Sequence, residues 1–217
     1  MGTAVMADDI DRLRSYLELD SIDLIGHSHG GAIALDYAER YPQRVKKVIL
    51  IDPEVLDDRP EATIQRFLAL WQDDPRYQHA VEAALAHRHL GDRSDEQLAA
   101  AFEAILPLYF SDPDRYLATC EKAFEGTHFS TYAQTEQEAD DKLSPRNQSR
   151  EYGNIRGKTL IVSGTIDWVC PVEVAERMHA AVAGSRFSLY ANVGHFPWME
   201  QPKRFFSELS QFLTDEK

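Results

Sequence analysis

Basic residues are scarce in this chain. Against 36 aspartates and glutamates stand 23 lysines and arginines, a net charge of −13 over 217 residues. A nucleic-acid binder offers a basic face to phosphates, so this balance argues against that class. Cysteine is rarer still: Cys120 and Cys170 alone give neither a disulfide framework nor a zinc-ligand spacing. Two reduced thiols in a cytoplasmic protein are the simpler expectation. Long apolar runs are also lacking, and none approaches the roughly 20 residues that span a bilayer. The opening "MGTAVMADDIDRLRSYLEL" has no basic start and no apolar stretch of signal-peptide length. The expectation is therefore a soluble cytoplasmic protein, with neither nucleic acid nor membrane as a partner.

What is present is an alternation of apolar strands and amphipathic helices. The spacing of Ile10, Leu13, Leu17 and Leu19 predicts a helix from Ala7, with Asp8, Asp9 and Asp11 in its first turn, facing the helix dipole. A strand over Ile22–Ile25 follows, then a helix that stops at Tyr41-Pro42, where proline cannot continue it. "VKKVILID" reads as the next strand. From Asp57 to Lys142 the pattern is helical and polar, and this block carries a net charge of about −10. Strand and helix signals then resume in "KTLIVSGTID", "PVEVAERMHAAVAG", "SRFSLYANVGH" and "PKRFFSELSQFL". The short joints predict an α/β layer with a parallel sheet, interrupted once by helices.

The stretch "IDLIGHSHGGAIALDYA" holds the pattern G-x-S-x-G over Gly26, His27, Ser28, His29 and Gly30. A serine aimed outward from a sharp strand-to-helix turn sits in a strained backbone conformation. Side chains two positions to either side would collide with the neighbouring strand and helix, which predicts glycine at both Gly26 and Gly30. The strand before and the helix after supply the context this motif requires. The backbone N–H of His29 is then placed to meet a developing oxyanion.

A serine hydroxyl needs a base, and the base needs an orienting carboxylate. Asp167, just beyond the strand in "IVSGTIDWVCP", and His195, in "YANVGHFPWMEQP", are the candidates. Parallel strands bring their C-terminal ends to one edge, so Ser28, Asp167 and His195 are expected to converge there. Asp52 is a rival acid, although an aspartate before proline reads more simply as a turn residue. His27, Trp168 and Trp198 are assigned to the pocket wall, with ordinary packing as the alternative. His79, His87, His89, His128 and His179 lack ligand spacing, and no metal or other cofactor is expected.

The elbow "GHSHGG", the acid turn "GTIDWVCP" and the histidine loop "GHFPWMEQP", in the order Ser, Asp, His, resemble the α/β-hydrolase superfamily. The resemblance implies a hydrolase core in residues 1–56 and 143–217, with about four strands, and a helical cap in 57–142. It implies a serine hydrolase acting through an acyl-enzyme on a small ester or amide. Among capped members the chain looks most like small-substrate hydrolases, including relatives of proline iminopeptidases. The latter hold a free amino end with cap carboxylates, a role open to Glu121, Glu125, Glu136 and Glu138.

In that family the elbow follows the fifth strand, whereas here a single helix precedes it. The chain therefore looks like the C-terminal two-thirds of such an enzyme, with the elbow strand at an exposed edge that a second copy could cover. A catalytically impaired remnant acting as a binding or dimerising module is the reading from a different class.

Overall fold

The structure, a computed structural model, describes residues 1–86 and 94–215. His87 and His89 lie outside them. Helix α1 (Thr3–Tyr16) precedes strand β1 (Ile22–His27), and α2 (His29–Arg40) leads to β2 (Val45–Ile51). Next come α3 (Glu61–Trp71), α4 (Gln78–Ala86), α5 (Asp95–Ile105), α6 (Pro113–Phe124), α7 (Thr131–Leu143) and the short α8 (Gln148–Glu151). The remaining elements are β3 (Lys158–Gly164), α9 (Val172–Ala181), β4 (Arg186–Tyr190), α10 (Pro197–Glu200) and α11 (Pro202–Thr214).

The four strands form one parallel sheet in the order β1-β2-β3-β4. Successive side chains of a strand point to opposite faces, and β2 divides its apolar residues accordingly. Val48 and Leu50 pack with Leu35 and Tyr37 of α2 and with Val174 and Met178 of α9. Ile49 and Ile51 join Leu160 and Val162 of β3 and Phe205 and Phe212 of α11 on the other face. Burying each such side chain is worth about 1.5–3 kcal/mol, which is why central strands read as continuous apolar runs. Among the described residues β1 pairs on one side only, and its Ile25 stays 52% exposed.

The first helix corrects one expectation. It begins at Thr3, so no carboxylate falls in its first turn. Instead, Asp8 accepts hydrogen bonds from Arg40 and Tyr41 (both 2.6 Å), and Asp11 accepts from Tyr37 (3.0 Å). These carboxylates brace α1 against α2 rather than cap a helix end.

Among the described residues, no strand lies between β2 and β3. The helices there form two small cores of their own. Ile64, Leu68, Tyr77, Val81 and Leu108 make one, packed against Trp168. Leu106, Phe110 and Cys120 make the other, which includes Phe196 of the histidine loop. The aromatic run "ILPLYF" thus mostly builds the interior of this helical layer, which rests directly on the residues around His195.

Candidate active site

Ser28 links β1 to α2 with φ 54° and ψ −123°, a conformation L-residues avoid. Four backbone bonds hold it there. Its N–H donates to the Ile51 carbonyl (3.1 Å), and its carbonyl accepts from Gly31 (2.8 Å), Ala32 (3.3 Å) and Glu54 (3.0 Å). A Cβ on Gly26 would lie 2.3 Å from the Gly30 carbonyl oxygen, and one on Gly31 would lie 2.8 Å from Pro53. The expected collision at Gly30 is absent, since a Cβ there meets nothing within 4 Å. The tight positions of the elbow are therefore Gly26 and Gly31.

Asp167 and His195 come together from the turns after β3 and β4. His195 Nδ1 lies 2.6 Å from Asp167 Oδ2, both residues being buried. The other carboxylate oxygen accepts from the N–H groups of Val169 (2.8 Å) and Cys170 (3.0 Å). Three donors thus converge on one buried carboxylate. The His195 backbone is also held: its N–H donates to the Tyr109 carbonyl (2.8 Å). Among the described hydrogen bonds none joins Ser28 Oγ to His195. The Ser28 hydroxyl lies instead beside the Cys170 thiol.

The two histidines of the elbow differ sharply. His27 Nε2 sits 2.9 Å from the His195 carbonyl, and its ring packs against those of His195, Phe196 and Trp198. Burial, then the neighbouring His195, pushes the His27 pKa down to about 3, so its neutral ring donates to that carbonyl. His29 turns the other way, with Nδ1 3.0 Å from Glu54 Oε2. Its backbone N–H lies in the first turn of α2, where helical N–H groups lack intrahelical acceptors. Trp168 meets Tyr109 edge-on under the helical layer, whereas Trp198 packs behind His27 against Phe205.

Several residues join the site that the motifs do not mark. Tyr109 sets its ring edge-on to His195 at 5.2 Å. Glu200 accepts from Gly194 N–H (2.7 Å), from Ser111 N–H (3.2 Å) and from the Ser111 hydroxyl, tying the histidine loop to the helical layer. Burial raises its pKa against the lowering effect of those bonds. Burial also pushes the Cys170 thiol well up, reinforced by Asp167, Glu54 and Asp52. The glutamate in "GHFPWMEQP" was visible as a motif member, but nothing in the sequence assigned it a task.

Glu121, Glu125, Glu136 and Glu138 are all exposed on the helical layer, and Glu138 faces Lys142 at 3.7 Å. The acid beside the elbow is Glu54. His79 and His128 are also exposed, and His179 bonds Ser185 (2.8 Å). Two triples, His27/Asp52/His195 and Asp167/Cys170/His195, bring potential ligand atoms within 4.8 Å of one another. Both share His195, whose Nδ1 is committed to Asp167, so we read them as parts of one hydrogen-bonded network. A cavity of about 690 Å³ opens elsewhere, between α1, α5 and α7, with Met6, Phe102, Phe129 and Gln137 in its wall. Among the described residues no helix is long and apolar enough to cross a membrane.

Comparison with known proteins agrees with this architecture. The family described as alpha/beta hydrolase fold matches residues 1–202. The chain is 26% identical over 200 residues to a 2-hydroxy-6-oxo-2,4-heptadienoate hydrolase of Pseudomonas putida, a match covering 92% of this chain and 66% of that one. It is 25% identical over 219 residues to a proline iminopeptidase of Clostridioides difficile, covering 95% and 71%. Its fold superposes on an enol-lactonase from Burkholderia xenovorans with a TM-score of 0.70 at 22% identity, covering 99% and 74%. The chain thus spans about two thirds of the length of the first of these relatives.

Proposed function

The chain belongs to the alpha/beta hydrolase fold family, and on that premise we propose that it is a serine hydrolase cleaving a small ester or amide. Ser28 Oγ attacks the carbonyl carbon while His195 Nε2 takes its proton. Asp167 holds the imidazole tautomer through Nδ1 and offsets the charge that forms. The His29 N–H stabilises the oxyanion. His195 then returns the proton to the leaving alcohol or amine. Water, deprotonated by the same imidazole, releases the acid and restores Ser28. These steps use no metal or organic cofactor.

The observation that carries this reading is the buried 2.6 Å pairing of His195 with Asp167 next to a serine held at φ 54°. In it, residues 57–142 serve as cap, and 1–56 with 143–217 as core. His27 and Trp198 support the histidine loop, and Trp168 lies where the cap meets the acid turn. A second copy of the chain covers the free edge of β1. The free buried thiols Cys120 and Cys170 suit a reducing, cytoplasmic setting. Hydrolysis of p-nitrophenyl acetate by the parent and by Ser28→Ala tests the nucleophile.

The relatives named proline iminopeptidase favour a second reading, an aminopeptidase. Glu54, bonded to His29 beside Ser28, is the carboxylate that would receive a substrate ammonium. A panel of p-nitrophenyl acetate, Pro-β-naphthylamide and 2-hydroxy-6-oxo-2,4-heptadienoate separates these activities. Turnover of none of them, with no fluorophosphonate labelling of a folded sample, would favour a non-catalytic remnant.

A further inference from the structure

The turn after β2 places a second carboxyl group behind the proposed catalytic pair. Asp52 is fully buried and has φ 41°, a left-handed conformation that aspartate tolerates better than most side chains. The backbone grips it, since its N–H donates to the Val162 carbonyl (2.8 Å). Its Oδ1 accepts from the Gly164 N–H (2.8 Å). Its Oδ2 is buried and lacks a partner among the described protein donors. Facing the side chain are the Asp167 carboxyl, at hydrogen-bonding range, the Ser163 hydroxyl, and the rings of His27 and His195. The Cys170 thiol and the Glu54 carboxylate lie further along the same cluster.

Two buried carboxyls in contact cannot both be ionised without a large cost, so the pair holds a proton. The donor count decides where. Asp167 receives three N–H donors, from Val169, Cys170 and His195, whereas Asp52 receives one N–H donor, from Gly164, with the Ser163 hydroxyl beside it. The proton of the pair therefore belongs on Asp52. Burial, followed by the Asp167 charge, raises the Asp52 pKa well above the usual carboxylate range, in agreement with that count. The unpartnered Oδ2 then becomes an O–H donor, and Asp167 is the acceptor beside it.

We propose that Asp52, as a neutral carboxylic acid, is a positioning residue that donates a hydrogen bond to Asp167 and so fixes the carboxylate that orients His195. This rests on the serine-hydrolase reading for its consequence in catalysis, but not for its structural content. A neutral Asp52 presents one acceptor and one donor, as an asparagine amide does. In Asp52→Asn the amide oxygen would accept from Gly164 and the amide nitrogen would donate to Asp167. Alanine would remove both contacts.

The test compares Asp52→Asn and Asp52→Ala with the parent, measuring kcat and KM for an acyl ester across pH. The His195 Nδ1–H proton is followed in parallel by low-field NMR. The expected result for Asp52→Asn is a kcat within a few-fold of the parent, an unmoved pH profile and a retained Nδ1–H signal. Asp52→Ala should lose about tenfold to a hundredfold in kcat, the scale of one hydrogen bond to a charged group, with little change in KM. Its Nδ1–H signal should shift or broaden. An Asp52→Asn variant that falls as far as Asp52→Ala, or whose acid limb moves, would overturn the proposal, because Asp52 would then act as an anion. So would an Asp52→Ala variant that keeps parental kcat and signal. If Asp52→Ala fails to fold, the asparagine variant alone decides. Should the parent turn over no ester, the NMR comparison still tests Asp52, and the failure then belongs to the functional reading.

Discussion

His195 Nδ1 stands 2.6 Å from Asp167 Oδ2, across 28 positions of sequence, with neither residue more than 2% exposed. Such a bond fixes which ring nitrogen carries the proton and leaves Nε2 as the basic one. Replacing Asp167 with asparagine keeps the shape but presents the wrong partner to Nδ1. We expect Asp167→Asn to lower kcat by about 10³–10⁴ with little change in thermal stability. Steady-state kinetics beside a melting curve checks both halves.

The glycines of the elbow should not behave alike. Gly26→Ala drives a methyl into the Gly30 carbonyl, and Gly31→Ala drives one into Pro53. Each should cost about 3 kcal/mol or more, through overpacking against backbone. Gly30→Ala meets open space within α2 and should be neutral or stabilising by up to about 1 kcal/mol. Urea unfolding of the three variants ranks them.

Glu39 is 3% exposed, and neither carboxyl oxygen has a partner among the described residues. Burial, then Glu151 and Asp36, pushes its pKa up to about 9 from a usual 4.5. The native state therefore keeps a proton that the unfolded chain releases, so stability should fall as pH rises from about 4.5 towards 9. Glu39→Gln should flatten that decline and add on the order of 2 kcal/mol at pH 8. Urea midpoints at several pH values measure it.

Removing Glu200 leaves the N–H groups of Gly194 and Ser111 without their acceptor. Glu200→Ala should lower stability by about 2–3 kcal/mol and reduce kcat more than it raises KM, because His195 adjoins the loosened loop. Calorimetry and kinetics on the same sample separate the two effects.

The parallel sheet and the strand–turn–helix at Ser28 were legible because each rests on local pattern: a period of two, a period near 3.6, and glycine beside the serine. The pairing of Asp167 with His195 was approachable because both follow strands whose ends share an edge. Other features were not local. Gly30 looked as constrained as Gly26, yet the second steric demand falls on Gly31, a position the sequence marks for close helix packing, whose neighbour proves to be Pro53 from the next strand's turn. Asp8 and Asp11 looked like helix-end charges until α2 brought Arg40, Tyr41 and Tyr37 against them. Tyr109 lay hidden in an apolar run, and only the fold sets it against His195. Asp52 read as a turn residue, which it is, but its carboxyl group faces inward rather than to solvent.

Every step proposed above depends on Ser28 being an activated nucleophile. Labelling with a fluorophosphonate probe tests it most directly, since the probe requires both a deprotonatable serine and an oxyanion site. The folded parent chain should take one label, located on Ser28, with none on Ser28→Ala and a strong reduction on His195→Ala. Absence of label on the folded parent, or undiminished labelling of Ser28→Ala, would contradict it.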